Sequence, residues 1–313
     1  LLAVSKVLKS NFITQGPLIK KFENLISKFV GSKYAVVVSS CTAGLHLASI
    51  ISENTKGKKL LTSPISFVST ANSSLFTGGD VAFADIEEET GNISIESVRK
   101  ILNKFKINSI SPVHFGGLPC DMISIRRLAK KKNITIYEDA AHSFGAKYDK
   151  KNKVGSCKYS DMTVFSFHPV KSIATGEGGC ITTNNKKIYD RLIKLRSHGI
   201  EKNKKNFSLK SQKNNPWYYE MQELGYHYRT TDIQCALGIS QLKKINKFLT
   251  KRKKIAKFYD YQFANLNNAI PLQMHQRENS SNHLYILLID FKKINHSRSE
   301  VMKKLRNVGI NTQ

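Results

Sequence analysis

From residue 34 to residue 137, short runs rich in β-branched and aromatic residues alternate with stretches of helical spacing. Strands are expected at residues 34–38, 60–62, 81–84, 109–113 and 134–137, and helices at 45–51, from Phe67 onward, at 95–105 and at 122–132. A helix between successive strands is how parallel strands are joined, so the pattern predicts a mostly parallel sheet flanked by helices. Ligands of such sheets bind beyond the carboxyl ends of the strands. The turn at residues 39–44, Phe67, His114, Asp139 and Lys171 all fall at such ends.

Residues 161–179, DMTVFSFHPVKSIATGEGG, carry the sharpest of these signals. The apolar run 162–167 reads as a buried strand. Pro169 ends it, because proline cannot continue a ladder. Lys171 follows, then the flexible Thr175-Gly176-Glu177-Gly178-Gly179. A lysine at the mouth of a core strand can act as a Schiff-base nucleophile when burial lowers its pKa. On spacing alone the plainer reading, one more surface lysine, is the stronger one.

Strand 34–38 gives way to Ser39-Ser40-Cys41-Thr42-Ala43-Gly44 and then to a helix. Free backbone N–H groups and the helix dipole there favour an anion, and small residues let a phosphate come close. The same residues also make an ordinary N-cap and tight turn. Asp139, with His142 three residues on, can hold a heteroaromatic ring by a protonated nitrogen; taken alone, the segment reads more readily as a capping Asp and a satisfied core His.

The formal net charge of +27 raises the question of nucleic acid. Arginine, the residue suited to bidentate phosphate and base recognition, accounts for only 10 of the 50 basic residues and is scattered, and no nucleic-acid motif accompanies it. The charge therefore reads as a lysine-biased surface, one from which a nucleotide-bearing substrate could still profit. The five cysteines include no C-x-x-C pair, so neither a disulfide framework nor a metal site is indicated, and a reducing, cytoplasmic compartment fits. No apolar run is long enough for a transmembrane helix.

Further on, 180–183 reads as a strand turning back, 187–195 as a helix, and the polar segment 202–215 as a mobile loop. Thr230-Thr231-Asp232 caps a helix expected over 233–248, followed by helices at 253–263 and from Ser297, with a strand at 283–291 between them. The expected division is a large domain, 1–245, and a small C-terminal α+β domain, 246–313. The chain starts on Leu1 and stops at Gln313 in mid-pattern, so both ends are expected to be cut and the small domain incomplete.

In order along the chain, SSCTAGLHLA, EDAAHSFGA, SFHPVKSIATGEGG, RSHGI and YYEMQELGYHYRTTDIQCALGISQLKK resemble the DegT/DnrJ/StrS sugar aminotransferases over nearly the whole sequence. That resemblance implies the fold type I, aspartate aminotransferase-like architecture of enzymes dependent on pyridoxal 5′-phosphate (PLP). It implies that Lys171 binds the cofactor covalently and that Asp139 pairs with the pyridinium nitrogen. His142 would lie beside the ring and Phe67 would stack on it, while Thr42, Ala43 and Ser166 would hold the phosphate. A homodimer is also implied, with His227 reaching the partner's cofactor and Arg229 the substrate. Two positions depart from the family: His227 stands where Asn is common, and Ala43 where Ser is frequent.

HPVK, PWYYEMQELGY and SSNHLY look most like the subgroup of pseudaminic acid biosynthesis, which moves glutamate's amino group to C4 of a UDP-linked 4-keto-6-deoxy-N-acetylhexosamine. The same reaction on a dTDP- or GDP-linked sugar is the alternative, as is a non-catalytic relative of the same fold. A PLP-dependent sugar dehydratase is disfavoured by Lys171, which those relatives replace with His.

Overall fold

The computed structural model describes residues 2–313. Helices α1 (Leu2–Leu8) and α2 (Pro17–Val30) lead into β1 (Tyr34–Val38), α3 (Cys41–Ile51), β2 (Lys59–Thr62), α4 (Ser69–Leu75) and β3 (Asp80–Phe83). There follow α5 (Ile95–Lys104), β4 (Ser109–Ile110), α6 (Met122–Lys130), β5 (Thr135–Asp139), β6 (Met162–Ser166), β7 (Gly179–Thr183) and α7 (Lys186–Leu195). The remainder is β8 (Ile200–Glu201), β9 (Glu220–Met221), α8 (Asp232–Leu242), α9 (Ile245–Phe263), β10 (Ala269–Pro271), β11 (Leu287–Ile289) and α10 (Arg298–Asn307).

Seven strands form one sheet in the order β1-β7-β6-β5-β4-β2-β3. All run parallel except β7, which is antiparallel to both neighbours and is the strand expected to turn back. One face is covered by α2, whose Phe22 and Ile26 pack with Phe144, Phe165 and Phe167. The other is covered by α3 and α7, whose Leu45, Leu47, Leu192 and Leu195 meet Tyr137, Val164 and Ile181. Each such side chain contributes roughly 1.5–3 kcal/mol by leaving water. Gly44 on α3 permits the contact: a Cβ there would lie 2.7 Å from Val164 Cγ1. Beyond Leu242 the chain continues through α9, the antiparallel pair β10–β11 and α10. Among the described residues no helix is long and apolar enough to cross a membrane.

Four local expectations are corrected. Helix α3 begins at Cys41 rather than 45, because Ser40 caps it by accepting Ala43 N–H at 3.1 Å. The break between α8 and α9 falls at Lys243-Lys244, with Lys244 at φ −105°, ψ −2°, and neither glycine nor proline marks it. Segment 202–215 is built of two 3-10 turns; Phe207 is buried, and the Glu220 carboxylate accepts Ser208 N–H (2.7 Å) and Leu209 N–H (2.9 Å). The strand expected at 283–291 is limited to Leu287–Ile289, because Ser281, His283 and Leu284 direct their N–H groups to the loop at Gly116-Gly117 instead of to a ladder.

Candidate active site

At the carboxyl end of β6 the chain leaves the sheet through His168-Pro169 and turns back, Lys171 N–H donating to the His168 carbonyl at 2.9 Å. Lys171 is half-buried, and that burial holds its amine below the ordinary lysine range, against the opposing pull of Cys41 and Asp139. Gly179 opens β7 beside this turn. A Cβ there would lie 2.6 Å from Ser40 C and 2.7 Å from Cys41 N, so only glycine lets β7 and the start of α3 approach this closely.

At the end of neighbouring β5, strand alternation separates two consecutive carboxylates. Glu138 points into a closed polar cluster, accepting hydrogen bonds from His114 Nε2 (2.6 Å), Thr163 (2.7 Å), Tyr148 and Ser160. Burial pushes its pKa up, but these donors outweigh burial and hold it low. His114 belongs to that cluster and not to the ligand end of the sheet. Its Nδ1 accepts Cys120 N–H at 3.1 Å, which leaves the proton on Nε2 to donate to Glu138.

Asp139 points the other way. Its Oδ2 accepts the Thr70 hydroxyl at 2.6 Å and its Oδ1 accepts Ala141 N–H at 3.1 Å. Thr70 is on α4, and its N–H and hydroxyl both reach the Phe67 carbonyl. The Phe67 ring, in the loop before α4, is 73% exposed.

The start of α3 faces the same place. Ala43 N–H is used by the Ser40 cap, so the unengaged donors of this turn are the N–H groups of Cys41 and Thr42 and the Thr42 hydroxyl. Burial and Asp139 raise the Cys41 thiol while Lys171 lowers it, which places Cys41, Asp139 and Lys171 in one electrostatic neighbourhood. His142 joins them: burial and Lys171 push its pKa down to about 3, and its buried Nδ1 has no hydrogen-bond partner. Ser166, the last residue of β6, is buried beside them, its hydroxyl meeting only His168 N–H at 3.4 Å.

Lys171, Asp139, His142, Ser166, Phe67 and the 41–43 turn thus share the strand-end face that the sequence marks. His227 and Arg229 lie on the segment along the other side of the 39–44 turn, where Tyr228 O accepts Ser39 N–H at 2.9 Å. His227 is exposed there and Arg229 has no ion pair among the described residues. Thr70 touches Asp139 and was missed from sequence, and Cys41 was read only as part of the 39–44 turn. The only signal for Thr70 was its position one turn after Phe67.

A profile of the DegT/DnrJ/EryC1/StrS aminotransferase family matches residues 1–313. The chain belongs to this family. It is 40% identical over 313 residues to the UDP-4-amino-4,6-dideoxy-N-acetyl-beta-L-altrosamine transaminase of Campylobacter jejuni, covering 99% of this chain and 79% of that one. Helicobacter pylori PseC, an aminotransferase involved in the biosynthesis of pseudoaminic acid, superposes with a TM-score of 0.87 at 32% identity, over 98% of this chain and 79% of its own. The PLP form of a putative sugar aminotransferase from Streptococcus pneumoniae superposes with a TM-score of 0.86 at 27% identity, over 99% and 80% of the two chains.

DegT-family aminotransferases depend on PLP, and the residues present fit that group. An amine whose pKa burial lowers, a carboxylate with lone pairs to spare, an orphaned buried imidazole nitrogen and a helix start with unengaged N–H groups surround one place. The protein is a sugar aminotransferase of this family.

Proposed function

We propose that this aminotransferase moves the amino group of glutamate to C4 of a UDP-linked 4-keto-6-deoxy-N-acetylhexosamine. The observation that carries the reading is a burial-depressed Lys171 beside Asp139, in a chain 40% identical to a UDP-altrosamine transaminase. Bound PLP supplies an electron sink for the electron pair left when a proton departs from the carbon bearing the amino group.

The protein's residues do the rest. With PLP bound, Lys171 Nζ would hold the cofactor covalently until an incoming amine took its place, and the freed amine would serve as general base and acid toward the donor's Cα proton. Its lowered pKa keeps a larger neutral fraction ready for both tasks. Asp139 would pair with the pyridine nitrogen and favour its protonated form, and Thr70 fixes the carboxylate's orientation. His142 and Phe67 flank the ring. Thr42 and Ser166 would hold the phosphate together with the Cys41 and Thr42 N–H groups; since Ala43 N–H is spent on the cap, Thr42 would take the larger share.

We assign the active unit as a homodimer, in which His227 and Arg229 serve the partner's cofactor and substrate. The small domain is assigned to residues 246–313. The five free cysteines suit a reducing compartment, and we place the enzyme in the cytoplasm.

The deciding assay supplies the PLP-loaded enzyme with glutamate and a panel of UDP-, dTDP- and GDP-linked 4-keto-6-deoxy sugars. The reading requires the UDP-linked N-acetylhexosamine to give an amino sugar with the highest kcat/KM. A preference for a dTDP- or GDP-linked sugar would reject the substrate assignment and leave the transaminase chemistry standing.

A further inference from the structure

His142 does not stand alone against its wall of the site. The ring of His283 lies with its centroid 4.6 Å from that of His142, at an interplanar angle of 36°. His283 lies 141 residues after His142 in the chain and reaches it on an irregular strap, residues 281–284, in which Asn282 has φ of +50°. This strap is fastened at both sides. Ser281 N–H donates to Gly117 O (3.0 Å), and His283 and Leu284 N–H donate to Gly116 O (3.0 and 3.1 Å). Ser281 Oγ donates to the His142 carbonyl itself at 2.6 Å. From α9, Arg252 Nη1 donates to the His283 carbonyl at 3.0 Å.

The dock admits the strap because two glycines line it. Gly116 and Gly117 have φ of +63° and +103°. A Cβ on Gly117 would lie 2.2 Å from Ser281 Oγ and 3.1 Å from both His142 O and His283 N, and one on Gly116 would lie 2.7 Å from Ile286 Cδ1. Both histidines have a buried Nδ1 without a partner, so no hydrogen bond within the protein fixes either ring; ring-on-ring contact is the restraint that the structure provides.

We propose that His283 is a positioning residue for amino transfer: its ring sets the plane of His142, and His142 in turn seats the cofactor ring. The inference rests on the PLP site assigned above. Through Arg252 and the strap, the placement of elements after α8 is thereby tied to the cofactor's wall.

The test compares His283→Ala, which removes the contact, with His283→Phe, which keeps a ring and removes the nitrogens. Each full-length variant is loaded with PLP, and PLP affinity, visible circular dichroism of the bound cofactor, KM and kcat are measured, with thermal unfolding as a check on folding. A ring contact of ordinary strength predicts that His283→Ala loosens PLP roughly tenfold and weakens its visible dichroism, while His283→Phe stays within about threefold of wild type. Unchanged PLP affinity and dichroism in His283→Ala overturn the proposal, including when KM for the sugar alone rises, since His283 would then act on substrate directly. A His283→Phe variant as impaired as His283→Ala also overturns it, because a nitrogen would be what matters. Failure of the wild type itself to hold PLP is a different result, and it overturns the site assignment beneath.

Discussion

The Thr70 hydroxyl donates to Asp139 Oδ2 at 2.6 Å, joining the first turn of α4 to the carboxyl end of β5. The bond is buried, and it leaves Asp139 Oδ1 with Ala141 N–H as its partner. A carboxylate so held faces the site in one orientation before any ligand arrives.

Removing that donor while keeping its shape tests the point. Thr70→Val is expected to fold and to lose about tenfold in kcat/KM, the equivalent of one charge-assisted hydrogen bond of roughly 1.5 kcal/mol. Steady-state kinetics alongside a thermal melt check it. A variant with unchanged kinetics would make Thr70 a bystander.

Asp139→Asn keeps the size of the side chain and removes its charge. Turnover is expected to fall by a factor of a hundred or more, about 3 kcal/mol, while the protein still folds and still binds PLP. Circular dichroism in the far ultraviolet and equilibrium dialysis with PLP separate this outcome from unfolding.

Gly117→Ala probes the dock beneath the strap. With φ at +103° and Ser281 Oγ 2.2 Å from the added carbon, the substitution is expected to destabilise the fold by about 1–3 kcal/mol. Gly57→Ala is the control: it also has positive φ, +78°, but nothing lies within 4 Å of the added carbon, so it should cost less. Denaturant unfolding of the pair measures the difference.

Acid should weaken the fold through the histidine pair. Burial, first of all, pushes His142 down to about 3 and His283 to about 2 from an ordinary 6.5, helped by Lys171 in both cases. The unfolded chain therefore takes up protons below about pH 6.5 that the folded chain refuses, and stability is lost as pH falls through that window toward 3. Each ring contributes a slope of up to about 1.4 kcal/mol per pH unit. Urea unfolding between pH 7 and pH 4 measures the loss, and His142→Phe should flatten it; an unaltered slope would contradict the burial account.

Much of the architecture was legible because a parallel sheet announces itself by alternation, and because Lys171 and Asp139 sit where strands end. What escaped detection depended on contacts distant in sequence. Glu138 and Asp139 are adjacent in sequence, yet the pleat sends one into a closed cluster with His114 and the other into the site. His114 looked like a ligand-end residue for the same reason. His283 looked like the start of a strand, because nothing local reveals that its N–H group is taken by Gly116. The α8–α9 break at Lys243-Lys244 lacks a breaking residue, so helical spacing ran straight through it. The 202–215 loop is polar in composition, and its anchor is one buried phenylalanine and one carboxylate.

The most direct test of Lys171 as the cofactor-bearing and proton-carrying residue is a single half-reaction followed by absorbance. Wild type and Lys171→Ala, each purified with PLP, are mixed with glutamate and no sugar, and 2-oxoglutarate is quantified. The account predicts that wild type shows a visible cofactor band that glutamate bleaches with stoichiometric release of 2-oxoglutarate, and that Lys171→Ala lacks the wild-type band and releases none. Release of 2-oxoglutarate by Lys171→Ala at the wild-type rate would contradict it.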